Sequence, residues 1–200
     1  MAPQLLMPDL ADSDLDVANS ALHLIGAEAL TAFSDDSPEG KIATSIFEDT
    51  INSALSGHRW RFASKQRALT KSSVDPASRW DSAYSLPNDC VIVSAATIND
   101  ARIKYDIYQR KIYCDATSTD TLVIDYIFRP DVVDWPAPFK MAVTYSLASI
   151  FALSLARDAR LSDVMGQQSL VHFARARHID SQQQTTRKLT TTGYISQRRT

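Results

Sequence analysis

The segment His58-Arg59-Trp60-Arg61-Phe62-Ala63-Ser64-Lys65 divides the chain into a helical part and a strand-rich part. Its aromatic residues alternate with basic ones, which predicts an extended segment with Trp60 and Phe62 on one face. A second segment, Tyr84-Ser85-Leu86-Pro87-Asn88-Asp89-Cys90, precedes an apolar, β-branched run. Because proline restricts the residue before it to extended backbone, Leu86-Pro87 predicts the entry into a sheet.

Two helices are predicted before the first segment. An apolar stripe places the first over about residues 14–30, and Ser13 and Asp16 have the spacing of a capping box with Asp in place of Glu. Ser37 is a good N-cap for the second helix, which ends near Gly57.

The middle of the chain has the alternation of β-strands. Residues 90–98 are apolar, residues 102–114 have the pattern of a hairpin whose turn lacks the usual glycine, and residues 122–128 alternate strictly. The pattern predicts a single antiparallel meander with one buried face.

Two further helices are predicted after the strands. The first, over about residues 136–157, is apolar on nearly all sides, and Ala148, Ala152 and Ala156 form a row of small residues that lets another helix of the chain or of a neighbouring subunit approach closely. Lys140 and Arg157 leave its apolar run shorter than the roughly 20 residues that a bilayer requires, so no membrane partner is expected.

The last predicted helix covers about residues 162–180. Its apolar residues are expected to face inward, namely Val164, Leu170, Val171 and Phe173. Residues 181–200 are rich in Gln, Thr, Ser and basic residues, with little to bury.

The predicted fold class is α+β, an antiparallel-type helical bundle of about four helices with an inserted small antiparallel β domain and an extended C-terminal tail. Residues 1–57 and 134–180 supply the helices of this bundle, residues 58–133 form the inserted domain, and residues 181–200 form the tail.

The sequence has no motif that indicates an enzyme, a cofactor site or a metal site. None of its 5 glycines belongs to a phosphate-binding loop, and its 4 histidines and 2 cysteines lack the spacing of metal ligands. Cys90 and Cys114 are expected to be small buried side chains, and a disulfide between them remains open.

Two other functions are compatible with the residues. A nucleic-acid-binding module is one, because Arg59, Arg61, Lys65 and Arg67 are interleaved with the aromatic residues of segment 59–67. The favoured interpretation places the aromatic rings in the core and the basic residues on an outer face. A small hydrolase with an unrecognised cluster of polar residues is the other.

Four motifs, in their order and spacing over residues 15–180, resemble the tail tubular protein A family of short-tailed bacteriophages, which are head-to-tail adaptors. They are Ala21-Leu22-His23-Leu24-Ile25-Gly26 with Phe33-Ser34-Asp35, then Trp60-Arg61-Phe62-Ala63, then Tyr84-Ser85-Leu86-Pro87-Asn88-Asp89-Cys90, and finally Phe139-Lys140-Met141-Ala142. The family often has proline before the tryptophan, where this chain has Arg59.

The resemblance implies a structural virion protein in the phage neck, assembled in the host cytoplasm. Such proteins form a closed homo-oligomeric ring, twelve-fold in the family, which joins the portal protein to the tail nozzle protein. DNA leaves through the ring without sequence-specific binding, and an acidic surface from the first part of this chain would repel it. The C-terminal segment typically extends toward the portal.

The resemblance and the residues together suggest three sets of sites. The candidates for portal binding are the basic and aromatic residues of the tail: Arg187, Lys188, Tyr194, Arg198 and Arg199. The structural hinge and core residues are Trp60, Phe62, Tyr84, Leu86 and Pro87. The residues expected at a helix-packing or subunit interface are Ala148, Ala152 and Ala156.

Overall fold

The structure is a computed structural model that describes residues 13–73, 76–77, 79–117 and 120–183. In this part of the chain it contains four α-helices and one short 3-10 helix, Val132–Asp134. The α-helices are α1 (Asp14–Leu24), α2 (Pro38–Ser56), α3 (Ala137–Ser154) and α4 (Ala159–Gln182).

Helix α1 begins with the predicted capping box and is shorter than predicted. The Ser13 hydroxyl accepts a hydrogen bond from the Asp16 amide, and the Asp16 carboxylate accepts one from the Ser13 amide at 2.8 Å. The helix ends at Leu24 because Gly26 has a φ of 75°, which turns the chain back. The Asn19 side chain then holds the returning segment by two hydrogen bonds to the backbone of Leu30.

The capping box makes the stability of α1 depend on pH. The hydrogen bonds from Ser13 lower the pKa of Asp16 below 3.8. The Asp16 carboxylate therefore stabilises the fold above about pH 3.8, and this contribution is lost as the pH falls through the lower folded-state pKa. We expect Asp16→Asn to lower the free energy of unfolding by about 0.3–0.5 kcal/mol at neutral pH, a small value because the carboxylate is exposed to solvent. Denaturant titrations should show the difference disappearing at acidic pH, and a constant difference would contradict the assignment.

Seven strands lie between α2 and α3, in two antiparallel sheets. Their bounds are β1 (Ser64–Leu69), β2 (Ser82–Ser85), β3 (Cys90–Ile98), β4 (Ala101–Arg102), β5 (Asp106–Tyr108), β6 (Lys111–Cys114) and β7 (Leu122–Phe128). The four-stranded sheet has the order β1-β7-β3-β4, and the three-stranded sheet has the order β2-β6-β5.

The prediction of a small antiparallel β domain inserted in a helical bundle is wrong, as is the single meander. The strands form two sheets, and the larger one is part of the helical core because Ile127 of β7 is buried in the same cluster as the helices. Alternation along one strand shows which side is apolar, but it does not show which strand lies next to it. The pairing of β1 with β7, whose residues are about sixty positions apart, is decided by the tertiary structure.

The hairpin predicted over 102–114 is present over Asp106–Cys114, as β5 and β6, whereas Arg102 belongs to β4 and forms a separate hairpin with β3 in the other sheet. Residues Asn99-Asp100 connect β3 to β4, and Gln109-Arg110 connect β5 to β6. All four residues have positive φ, which a type I′ turn requires and glycine usually provides. The Arg110 side chain donates a hydrogen bond to the Pro87 carbonyl at 2.8 Å, so this strained turn also holds the loop before β3.

Helix α3 is the centre of the larger core, with α1, α2 and α4 packed around it. Its fully buried Phe139 contacts four aromatic rings, with centroid distances of 4.9 Å to Trp60, 4.9 Å to Phe62, 5.2 Å to Trp135 and 6.2 Å to Phe173. This cluster joins α4 and the connection between α2 and β1 to one side of α3.

The second core lies between the two sheets. It includes Tyr84, Cys90 and Cys114, and both cysteines are free thiols. Burial raises the pKa of the Cys114 thiol to about 11 and also raises the pKa of Cys90. Both side chains are therefore protonated at neutral pH and act as small apolar residues.

Candidate interaction surface

The aromatic segment after α2 forms part of the core and is not an extended strand. Trp60 lies in the turn-rich connection between α2 and β1 and is 1% exposed. Its indole N–H donates to the Ala54 carbonyl at 2.9 Å. Phe62 is half-buried and contacts both Trp60 and Phe139, so the two aromatic residues do face the same way, as predicted.

The other residues predicted as a structural hinge lie around the second core. Tyr84 is buried in β2, and Pro87 is buried in the loop before β3. Leu86 is partly buried against the same cluster, and its amide donates to the Arg110 carbonyl at 2.9 Å. These three residues therefore connect the two sheets and lie away from the helices.

The basic residues near Trp60 are engaged within the chain. Arg59 pairs with Asp125 at 3.0 Å, and Lys65 pairs with Asp89 at 3.3 Å. Lys65 also lies 3.5 Å from the centre of the Phe128 ring. Carboxylates neutralise Arg59 and Lys65, whereas Arg67 is exposed without a carboxylate partner among the described residues. Because Trp60 is buried, it gives a nucleic acid no stacking surface.

Helix α4 is anchored on α3 by polar contacts. Ser149 and Ser162 exchange hydrogen bonds with each other's carbonyls at 2.9 Å, and the Ser169 hydroxyl donates to the Ala142 carbonyl at 3.0 Å. The rings of Tyr145 and His172 stack at 5.1 Å.

The C-terminal end of α4 is held by Asp180, whose side chain is 7% exposed. Its carboxylate accepts a hydrogen bond from the Arg61 amide at 2.9 Å, and it lies 3.7 Å from the Arg61 side chain and 3.6 Å from His58. Asp180 therefore attaches the end of α4 to the connection that contains Trp60.

The prediction that the apolar residues of α4 face inward is wrong for three of the four. Val164 is 55% exposed, Leu170 is 61% exposed and Val171 is 50% exposed, whereas Phe173 is partly buried in the core. Ser169, Phe173 and Ala176 lie on the side of α4 that contacts α3. Val164 and Val171 lie seven residues apart, on the other side of the helix.

Of the exposed residues, Leu170 borders an open cleft between α2, α3 and α4. Near Trp60 the cleft has a volume of about 290 Å³, with Thr50, Ser53, Ile150 and Arg177 in its lining. It continues toward the start of α4, where Leu170 and Asp163 lie in its wall. Exposed Leu153 and Ile150 extend the apolar surface along α3.

The lining of this cleft combines hydroxyl groups with apolar side chains. Hydroxyl groups line the part near Trp60, and no histidine or carboxylate accompanies them there among the described residues. A hydroxyl without a neighbouring base is a poor nucleophile. The described ranges also contain no group of three or more histidine, cysteine or acidic side chains placed to hold a metal ion.

The row of alanines is used inside the chain. Ala148 and Ala152 are fully buried in α3, so the folded subunit does not present them to another subunit. Ala156 lies beyond the end of α3, at Ser154, and is exposed. The prediction of one three-residue helical row is therefore wrong at its last position.

The predicted portal-binding residues of the tail lie outside the described residues. These are Arg187, Lys188, Tyr194, Arg198 and Arg199.

Within the described ranges, no helix has the length and apolar character needed to cross a membrane. No family model matches the chain, and no curated protein matches it.

The surface residues that the sequence argument missed are Ile150, Leu153 and Arg177. A signal for Ile150 and Leu153 was present, because α3 is apolar on nearly all sides and its neighbours cover only part of its circumference.

Proposed function

We propose that this chain is a structural subunit of a phage virion, a head-to-tail adaptor that assembles into a ring between the portal and the tail nozzle. The proposal rests on the ordered motifs that resemble tail tubular protein A. One structural observation supports a subunit role: seven of the exposed large apolar residues lie on α3 and α4, namely Met141, Ile150, Leu153, Val164, Leu170, Val171 and Ile179.

This distribution favours assembly because exposed apolar residues gathered on one pair of helices mark a protein contact. A ring needs two different surfaces on each subunit, so that the front of one copy meets the back of the next. The anchoring of α4 by Asp180 and the serine contacts keeps one such surface rigid, which lowers the entropic cost of association.

The tail is the proposed contact with the portal. Since α4 continues to Gln182 and Asp180 is part of the fold, a truncation that tests the tail should end after Gln183. We expect a 1–183 variant to keep the circular dichroism spectrum and melting temperature of the full chain and to lose binding to the portal protein of the same virus in a pull-down. Unchanged binding would refute the role of the tail.

Electron microscopy of the full chain bound to that portal tests the ring itself. Particles with a closed ring of this subunit below the portal are the expected result. Discrete monomers bound to the portal, with no closed ring, would contradict the proposed function.

A further inference from the structure

The unpaired charges of the helical region are separated by sign. Three acidic residues of the α1–α2 region, Glu28, Glu39 and Asp49, have no hydrogen-bond or ion-pair partner among the described residues. The other acids of that region are engaged: Asp14 and Glu48 bind Arg129, Asp36 pairs with Lys41, and Asp16 and Asp35 bond backbone amides.

Helix α4 presents the opposite charge. Arg160, Arg175 and Arg177 are exposed and have no carboxylate partner in the described ranges. Of the acids on this helix, Asp180 is buried and Asp163 lies toward its first turns, away from Arg175 and Arg177. The C-terminal half of α4 therefore has an unbalanced positive surface.

The arginines of α4 accompany its exposed apolar residues. The outer side of α4, opposite Ser169 and Ala176, combines apolar area with guanidinium groups, since it contains the exposed residues Arg160, Val164, Val171 and Arg175. This is the composition of protein interfaces, where arginine is enriched and lysine is depleted. Leu170 and Arg177 lie instead at the cleft between α2, α3 and α4. On the acidic side, Glu28 and Glu39 line the same open pocket beside the start of α2.

We infer that the outer side of α4 in one copy docks against the acidic α1–α2 side of a second copy. We expect a second copy of the chain to bind there because one chain contains both complementary surfaces. Unpaired arginines lie with apolar residues on α4, and unpaired acids lie on α1–α2. The two surfaces differ, so the contact is head to tail, and the inference deepens the proposed function by naming the faces that meet in the ring.

Sedimentation analysis of the full chain with charge-reversal variants tests this contact. The wild type should self-associate at about 50 mM salt, and its dissociation constant should rise about tenfold or more at about 500 mM salt because exposed charges are screened. Arg160→Glu with Arg175→Glu should weaken association to a similar degree. Reversing Glu28→Lys and Asp49→Lys in that same variant should restore it.

Arg102→Glu with Lys104→Glu is the matched control, since it changes the net charge equally at exposed positions of the strand region. This control should associate like the wild type. Three results would each overturn the inference. The wild type could stay monomeric at every concentration, the control could dissociate as much as the α4 variant, or the fourfold variant could fail to regain association. None of these measurements involves the portal, so loss of portal binding and loss of self-association are separate results.

Discussion

Replacing Trp60 with alanine should lower the free energy of unfolding by about 3–5 kcal/mol, the largest effect that we expect from a single substitution. The indole is 1% exposed, its N–H is bonded to the Ala54 carbonyl, and its ring packs on Phe139 at 4.9 Å. The truncation opens a cavity between α2 and α3 and removes an aromatic contact from the centre of the core.

Chemical denaturation monitored by far-UV circular dichroism measures this effect. Phe62→Ala is the matched control, because Phe62 also touches Phe139 but is half-buried and donates no hydrogen bond. It should cost clearly less. If the two variants were equally stable, the central position assigned to Trp60 would be incorrect.

Asp180→Ala should lower the free energy of unfolding by about 2–3 kcal/mol, which is large for a change at the end of a helix. The Arg61 amide loses this acceptor, and the carboxylate is withdrawn from the side chains of Arg61 and His58. Because the side chains of Arg61 and His58 are each about one-third exposed, water compensates them in part, and the estimate stays below that for a fully buried ion pair.

Two variants separate the parts of this effect. Asp180→Asn keeps an oxygen acceptor for the Arg61 amide and should cost less than the alanine variant. Asp163→Ala changes an exposed acid of the same helix without an ion-pair partner among the described residues, and it should change stability by less than about 0.5 kcal/mol. An Asp180→Ala variant as stable as Asp163→Ala would show that Asp180 does not anchor α4.

Much of the fold was predictable where neighbouring residues decide it. Ser13 with Asp16 and Ser37 before α2 were identified as caps from their spacing, because a cap satisfies backbone amides only three positions away. The two helices on each side of a strand region were also predicted, since their apolar periodicity repeats within a few turns.

The surface of α4 was predicted incorrectly for a physical reason. The sequence shows that Val164, Leu170 and Val171 are apolar, but a helix with apolar residues on two sides does not indicate which side meets its neighbour. In the structure, hydrogen bonds from Ser149 and Ser169 place the side of α4 that contains Phe173 against α3 and leave Leu170 at the cleft.

Local sequence by itself determined where α1, α2 and α3 begin, where strands replace helices, and that Trp60 belongs to the core, because short-range hydrogen bonds and side-chain size decide these features. Only the tertiary structure decided that the strands divide into two sheets, that Arg59 and Lys65 are neutralised by Asp125 and Asp89, and that the α4 surface is exposed. The two ion pairs join residues that are 66 and 24 positions apart in the sequence. Contacts between such distant residues follow from how the helices and sheets pack.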